Sequence, residues 1–214
     1  MGLLEQACRM KLAHFYHIYA DGEYEGIVQD HVEAIISSEL IDSLDLFAVG
    51  LVGEKHNRIE AVELLTYYGL TPKVVAEAET GWEQVTLRKV RDYARYNRAK
   101  LLYAHTKGAT SASQHSSEWR KAMTHDCITL WQENVTALDD WAVSGSYWMD
   151  SKEPEHEHHH FFFGGNFWWA RTDYLRTLPP LQNEHRYQAE GWIGLQDPQP
   201  WVIRLGQAVW GNFD

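Results

Sequence analysis

Apolar positions along the chain alternate between two rhythms, short unbroken runs and longer stretches where they recur every third or fourth residue. KLAHFYHIYA (11–20) is a run of the first kind and reads as a strand; after it Ile27, Val28, Val32, Ile35 and Ile36 share one helical face. LFAVGLVG (46–53) has the continuous apolar character of a buried parallel strand, and RIEAVELLTYYGL (58–70) reads as a helix capped by Gly69. KVVAEAE is a strand, GWEQVTLRKVRDYARYNRA a helix with Leu87, Val90 and Ala94 inward, and KLLYAHTKG (100–108) the next strand. After the polar TSASQHSS comes a long helix with Met123, Cys127, Trp131, Val135 and Leu138 on one stripe; WAVSGSYW (141–148) and HFFFGGNFWWA (160–170) complete the sheet.

Strand-helix alternation predicts one α/β domain, a mostly parallel sheet with helices on both faces, and ligands bound beyond the carboxyl ends of its strands. The stretches there are HIYADGEY, AETGWE, HTKGATS and WMDS. No GxGxxG follows the first strand and no GxxxxGK[ST] occurs, which argues against a dehydrogenase or a P-loop enzyme.

Composition narrows the class. A hydrophobic share of 44% and a charged share of 23% describe a globular chain, with no apolar run long enough to span a bilayer. The opening residues carry no secretory core, and Gln6 stands where myristoylation needs Ser or Thr, so the expectation is a cytoplasmic protein. Cys8 and Cys127 alone imply neither a disulfide framework nor a cysteine metal site. The formal charge of -11 argues against non-specific attraction to a phosphate backbone. Ten tryptophans and eleven tyrosines exceed ordinary packing needs and fit either stacking surfaces or large core side chains.

Several segments carry candidate chemistry, each beside a plainer alternative. His105, Thr106 and Lys107 sit where a strand emerges, with Gly108 permitting a sharp turn; a lysine and free amides there neutralise a diphosphate, or the segment is an ordinary turn. Ser116 or Ser117 caps the long helix, which puts Arg120 near the positive end of its dipole and calls for a partner, an anionic ligand or an acid such as Glu118. Gly165 permits close approach of the backbone, Asn166 offers a donor and an acceptor to sugar hydroxyls, and of Trp168 and Trp169 one faces a ligand and the other the core. Thr172 or Asp173 starts a short helix stopped by Pro179. Arg186 and Glu190 have salt-bridge spacing, whereas a carboxylate beside Trp192 in a cleft serves as a general base. His158 and His160, with His156, share a face if extended and are metal candidates, or solvated loop histidines.

The ordered set FYHIY, SSELIDSLDLFAVGLVG, LLYAHTKG, WRKAM, GGNFWWARTDYLRTLP and RYQAEGWIG resembles a bacterial and phage group of glycosyltransferase-like proteins with a GT-A fold. The resemblance implies a single GT-A-like domain over 1–214, with a donor-binding half at about 10–110 and an acceptor and catalytic half at about 111–214. It implies a nucleotide-sugar donor contacted by His17, Tyr19, Glu83 (in a wall running from Glu79), His105, Thr106, Lys107, Gly108 and Arg120. It places the acceptor, a glycan or a hydroxymethylated DNA base, near Gly165, Asn166, Trp168, Arg186 and Trp192, with Glu190 as the catalytic base of an inverting transfer. GT-A enzymes hold Mn or Mg on an Asp-x-Asp motif; here that position reads His105-Thr106-Lys107, so the divalent cation is in question, with Lys107 and Arg120 as replacement charge or His105 as a lone ligand. Two other readings stand: a nucleotide- or carbohydrate-binding protein without activity, and a metallohydrolase built on the histidine cluster.

Overall fold

The computed structural model describes residues 10–110, 113–150, 161–182 and 187–204. β1 (Lys11–Tyr19) is an interior strand, third from one edge, of a seven-stranded sheet. Its alternate residues point to opposite faces, and both faces are covered. Leu12, Tyr16 and Ile18 join a core with α1 (Tyr24–Ser37), while Ala13 and Phe15 join a second core with Leu87, Val90 and Ala94 of α3 (Gln84–Tyr96). Every residue from Leu12 to Ile18 is therefore buried, the polar His14 and His17 included.

β2 (Leu46–Val52) and β3 (Lys73–Ala78) extend the sheet in parallel on one side of β1, with α2 (Lys55–Tyr67) between them. β4 (Ala99–His105) returns to its other side, also in parallel. The order in which strands are added thus reverses between β1 and β4, which leaves a crevice at their carboxyl ends. β8 (Trp168–Arg171) runs antiparallel to β4 and to β5 (Val143–Gly145); β9 (Pro200–Val202) closes the edge in parallel with β5. The result is a single α/β domain with a mostly parallel sheet and helices on both faces.

Local departures from the periodicity have visible causes. The predicted long helix is α4 (Gln114–Thr124), a π-helical turn at His125–Thr129, and α5 (Trp131–Ala137). Asn134 Nδ2 donates to the Asp126 carbonyl at 2.8 Å, occupying an acceptor that the wider turn releases. Ser113, rather than Ser116 or Ser117, caps α4 by accepting from the Ser116 amide at 3.1 Å, which moves Arg120 beyond the first turn. Ile36 is 42% exposed, since Ile35 beside it takes the inward position. The last two predicted strands each break in two. Tyr147 (φ 59) separates β5 from β6 (Trp148–Asp150), and the Gly164–Asn166 turn separates β7 (Phe161–Phe163) from β8; β6 and β7 pair apart from the main sheet. The sequence reading missed β9 and the helical turn at Leu40–Ser43. Two further short helices follow, α6 (Thr172–Leu175) and α7 (Tyr187–Gly191).

Candidate active site

Thr106 ties the carboxyl ends of β1 and β4 together. Its amide donates to the His17 carbonyl at 3.0 Å, and its hydroxyl accepts from the Tyr19 amide at 2.8 Å. The chain then turns through Gly108, at φ 91, and presents Lys107. Arg120 holds this turn from behind: Nη1 donates to the Lys107 carbonyl at 3.1 Å, while Nη2 lies 3.4 Å from Asp30. The partner expected for Arg120 is therefore the acid Asp30 together with a main-chain carbonyl. Lys107 Nζ sits 4.2 Å from the centre of the Trp119 ring, a cation-π contact that steadies the ammonium.

Lys107 and Glu190, distant in sequence, line one crevice with His17, Tyr19, Glu83 and His105. The space it bounds, open solvent included, is about 690 Å³. Glu83 gathers several polar side chains at the crevice wall. Oε2 accepts from Tyr103 Oη at 2.9 Å and from Asn166 Nδ2 at 2.6 Å, and Oε1 lies 3.6 Å from His105 Nδ1. Burial first, then the carboxylates of Glu83 and Glu190, push the Tyr103 hydroxyl well above its usual range, so it remains a donor to Glu83. His105 Nε2 donates to the Gly165 carbonyl at 2.9 Å. His17 is pushed down to about 4, chiefly by burial, and meets Thr86 Oγ1 at 2.7 Å through Nδ1; it enters the site as a neutral ring.

The acceptor residues expected from the sequence take different places. Asn166 is fully buried at φ 57, with its amide donating to Glu83 and its Oδ1 accepting from Trp168 Nε1 at 2.7 Å. Its polar atoms are committed to protein partners, Glu83 among them. Trp168 and Trp169 are both buried, one in each core, because both faces of the sheet are covered; neither has a face to offer a ligand. Trp192, 1% exposed, is likewise a packing residue, with its ring nitrogen bonded to the Pro179 carbonyl at 3.0 Å. Close approach at Gly165 is made by protein: a Cβ there would stand 2.4 Å from Met123 Sδ. Arg186, His158 and His160 lie outside the described residues. Trp82 and Ser116 also line the crevice; Trp82, 49% exposed, belongs to AETGWE, a stretch already placed at a strand end.

Among the described residues no three His, Cys, Asp or Glu side chains gather into a metal site. The donor set at positions 105–107 is a histidine bonded to a carbonyl, a threonine hydroxyl already accepting an amide, and an ammonium. Such a set does not fit a divalent cation, which takes carboxylate oxygens.

Known structures share this fold. The 4-diphosphocytidyl-2C-methyl-D-erythritol synthase from Anaerococcus prevotii DSM 20548 superposes with a TM-score of 0.53 at 9% identity, over 93% of this chain and 90% of that one. HddC from Yersinia pseudotuberculosis gives 0.51 at 8% identity, over 91% and 90%. At such identities the likeness is one of fold, and it agrees with the GT-A-like class. No curated protein matches the sequence. The model of one family, described as "Domain of unknown function (DUF8361)", matches residues 15–192, and the chain belongs to that family.

Proposed function

We propose that the protein is a transferase that moves a sugar from a nucleotide-sugar donor to a hydroxyl acceptor, with inversion. The observation that carries this reading is the meeting of Lys107 and Glu190 in one crevice at the β1/β4 switch point. In it, Lys107 neutralises the donor diphosphate and stabilises the departing nucleoside diphosphate, the task a divalent metal performs in the wider fold. Glu190 takes the proton of the acceptor hydroxyl as its oxygen attacks the anomeric carbon. Tyr19 and Glu83 form the donor wall, and the half of the chain carrying Glu190 admits the acceptor. Of the two acceptors, a glycan fits the formal charge of -11 better than DNA does. One of the two neighbours is a diphosphocytidyl-compound synthase, which supports a nucleotide-linked substrate.

The replacement of Asp-x-Asp by His105-Thr106-Lys107 favours a second reading, a nucleotide-sugar binder without turnover. A panel of nucleotides and nucleotide sugars, screened by thermal shift with and without EDTA, tests what the two share. A donor that raises the melting temperature of the wild type, in EDTA as well, and fails to do so with Lys107→Ala, supports the site. No shift with any member, or a shift that needs added metal, contradicts it.

A further inference from the structure

A second cavity opens at the other end of the sheet, where β4 begins and β8 ends, and encloses about 790 Å³, space open to solvent included. Three arginines line it: Arg98 just before β4, Arg171 at the last position of β8, and Arg176 just past α6. Arg171 commits Nε to Asp173 Oδ1 at 3.1 Å, and Arg176 commits Nε to the Thr172 carbonyl at 3.2 Å. Among the described residues the terminal nitrogens of both guanidinium groups have no partner, and Arg98 pairs with no acid.

The acids in the same lining are already engaged. Asp139 lies 2.5 Å from Lys100 Nζ, and Asp173 is the partner of Arg171. Lys100, itself outside the lining, offsets Asp139, and Arg171 offsets Asp173, which leaves Arg98 and Arg176 as the excess charge of the lining, in a chain whose formal net charge is -11. The floor is fixed as well, since the Ala99 amide donates to Thr172 Oγ1 at 2.9 Å. Arg98 and Arg176 are both exposed and add nothing to either core, so packing does not account for their gathering. Planar guanidinium forks with free nitrogens are the chemistry of bidentate contact with a tetrahedral dianion.

We propose that this cavity is a second binding site, selective for a phosphoryl group held by Arg98, Arg171 and Arg176. A surplus of two positive charges matches a phosphoryl dianion better than a single carboxylate. The site is independent of the sugar-transfer reading, because it shares no lining residue with the crevice.

Isothermal titration at fixed ionic strength tests it, with inorganic phosphate, glucose 6-phosphate and, as a neutral control, glucose. The proteins are the wild type, Arg98→Gln, the double variant Arg98→Gln/Arg176→Gln, and Lys107→Ala. Both phosphates should bind the wild type and Lys107→Ala alike, with affinity reduced in Arg98→Gln and by about tenfold or more in the double variant; glucose should not bind. Tighter binding of glucose 6-phosphate identifies a phosphorylated metabolite as the ligand source, and equal affinities identify free phosphate. The proposal is overturned if neither phosphate binds, if glucose binds equally, or if binding survives the arginine changes and disappears with Lys107→Ala.

Discussion

The side-chain amide of Asn166 donates to Glu83 Oε2 at 2.6 Å, joining the turn before β8 to the residue that precedes α3. The other end of the same amide accepts from Trp168 Nε1 at 2.7 Å. Asn166→Ala removes both bonds and leaves a buried indole N–H without its acceptor. Breaking a buried bond from one side costs about 1–3 kcal/mol, so the variant should lose roughly 2–4 kcal/mol in urea unfolding. A change within 0.5 kcal/mol, on the order of an ordinary surface substitution, would contradict the role given to this amide.

Lys107 bears on donor affinity more than on stability, because it lines the crevice, with its ammonium over the Trp119 ring. Hydrogen bonds to a charged group are worth about 1.5–3 kcal/mol, so Lys107→Ala should weaken binding of the nucleotide-sugar donor by roughly 10- to 150-fold. Arg120→Ala, which frees the turn without removing a crevice charge, should raise the donor KM and leave kcat nearly unchanged. A fall in kcat with an unchanged KM would place Arg120 in the chemistry instead.

Much of this fold was legible because the strands that form it are apolar on both faces. β2 is an unbroken apolar run and β1 one interrupted only by His14 and His17, patterns that suit a covered parallel sheet, and the crevice follows from the reversal of strand order between β1 and β4. Lys107 was legible for the same reason, as a lysine at a strand end followed by glycine. Asn166 and Trp168 were not, since local pattern cannot separate a polar or aromatic side chain facing a ligand from one closing a buried network. Their burial depends on Glu83 and on the helices over both faces, contacts made far along the chain. The break between β5 and β6 was hidden likewise, because it rests on Tyr147 adopting φ 59, which its residue type gives no reason to expect.

Buried histidines set the acid limit of stability. His14 and His17 are both pushed down to about 4, chiefly by burial, and His14 Nε2 stands 2.8 Å from His31 Nε2, itself held well below its usual range by burial and by its neighbour His14. Free imidazole titrates near 6.5, so the unfolded chain binds these protons more tightly than the fold does. Full stability is present above about pH 6.5 and is lost as pH falls toward 4, by roughly 3 kcal/mol for each of His14 and His17. Urea midpoints measured at pH 7, 5.5 and 4 should fall in that order. A level profile would mean that these rings are protonated inside the fold.

Gly165 is required by protein packing rather than by a ligand. It holds φ +84, and a Cβ there would come within 2.4 Å of Met123 Sδ. Gly165→Ala should therefore cost about 1–3 kcal/mol by crowding and backbone strain, and should also displace the carbonyl that His105 Nε2 contacts. Thermal unfolding of this variant with no drop in midpoint would return the glycine to the ligand side.

The most direct test follows release of nucleoside diphosphate from the donor identified by thermal shift, together with its hydroxyl acceptor, in the wild type and in Glu190→Gln. The account predicts steady turnover in the wild type, insensitive to EDTA, and a loss of about 10²- to 10⁴-fold in kcat for Glu190→Gln with donor affinity retained. Equal turnover by the two proteins would contradict it.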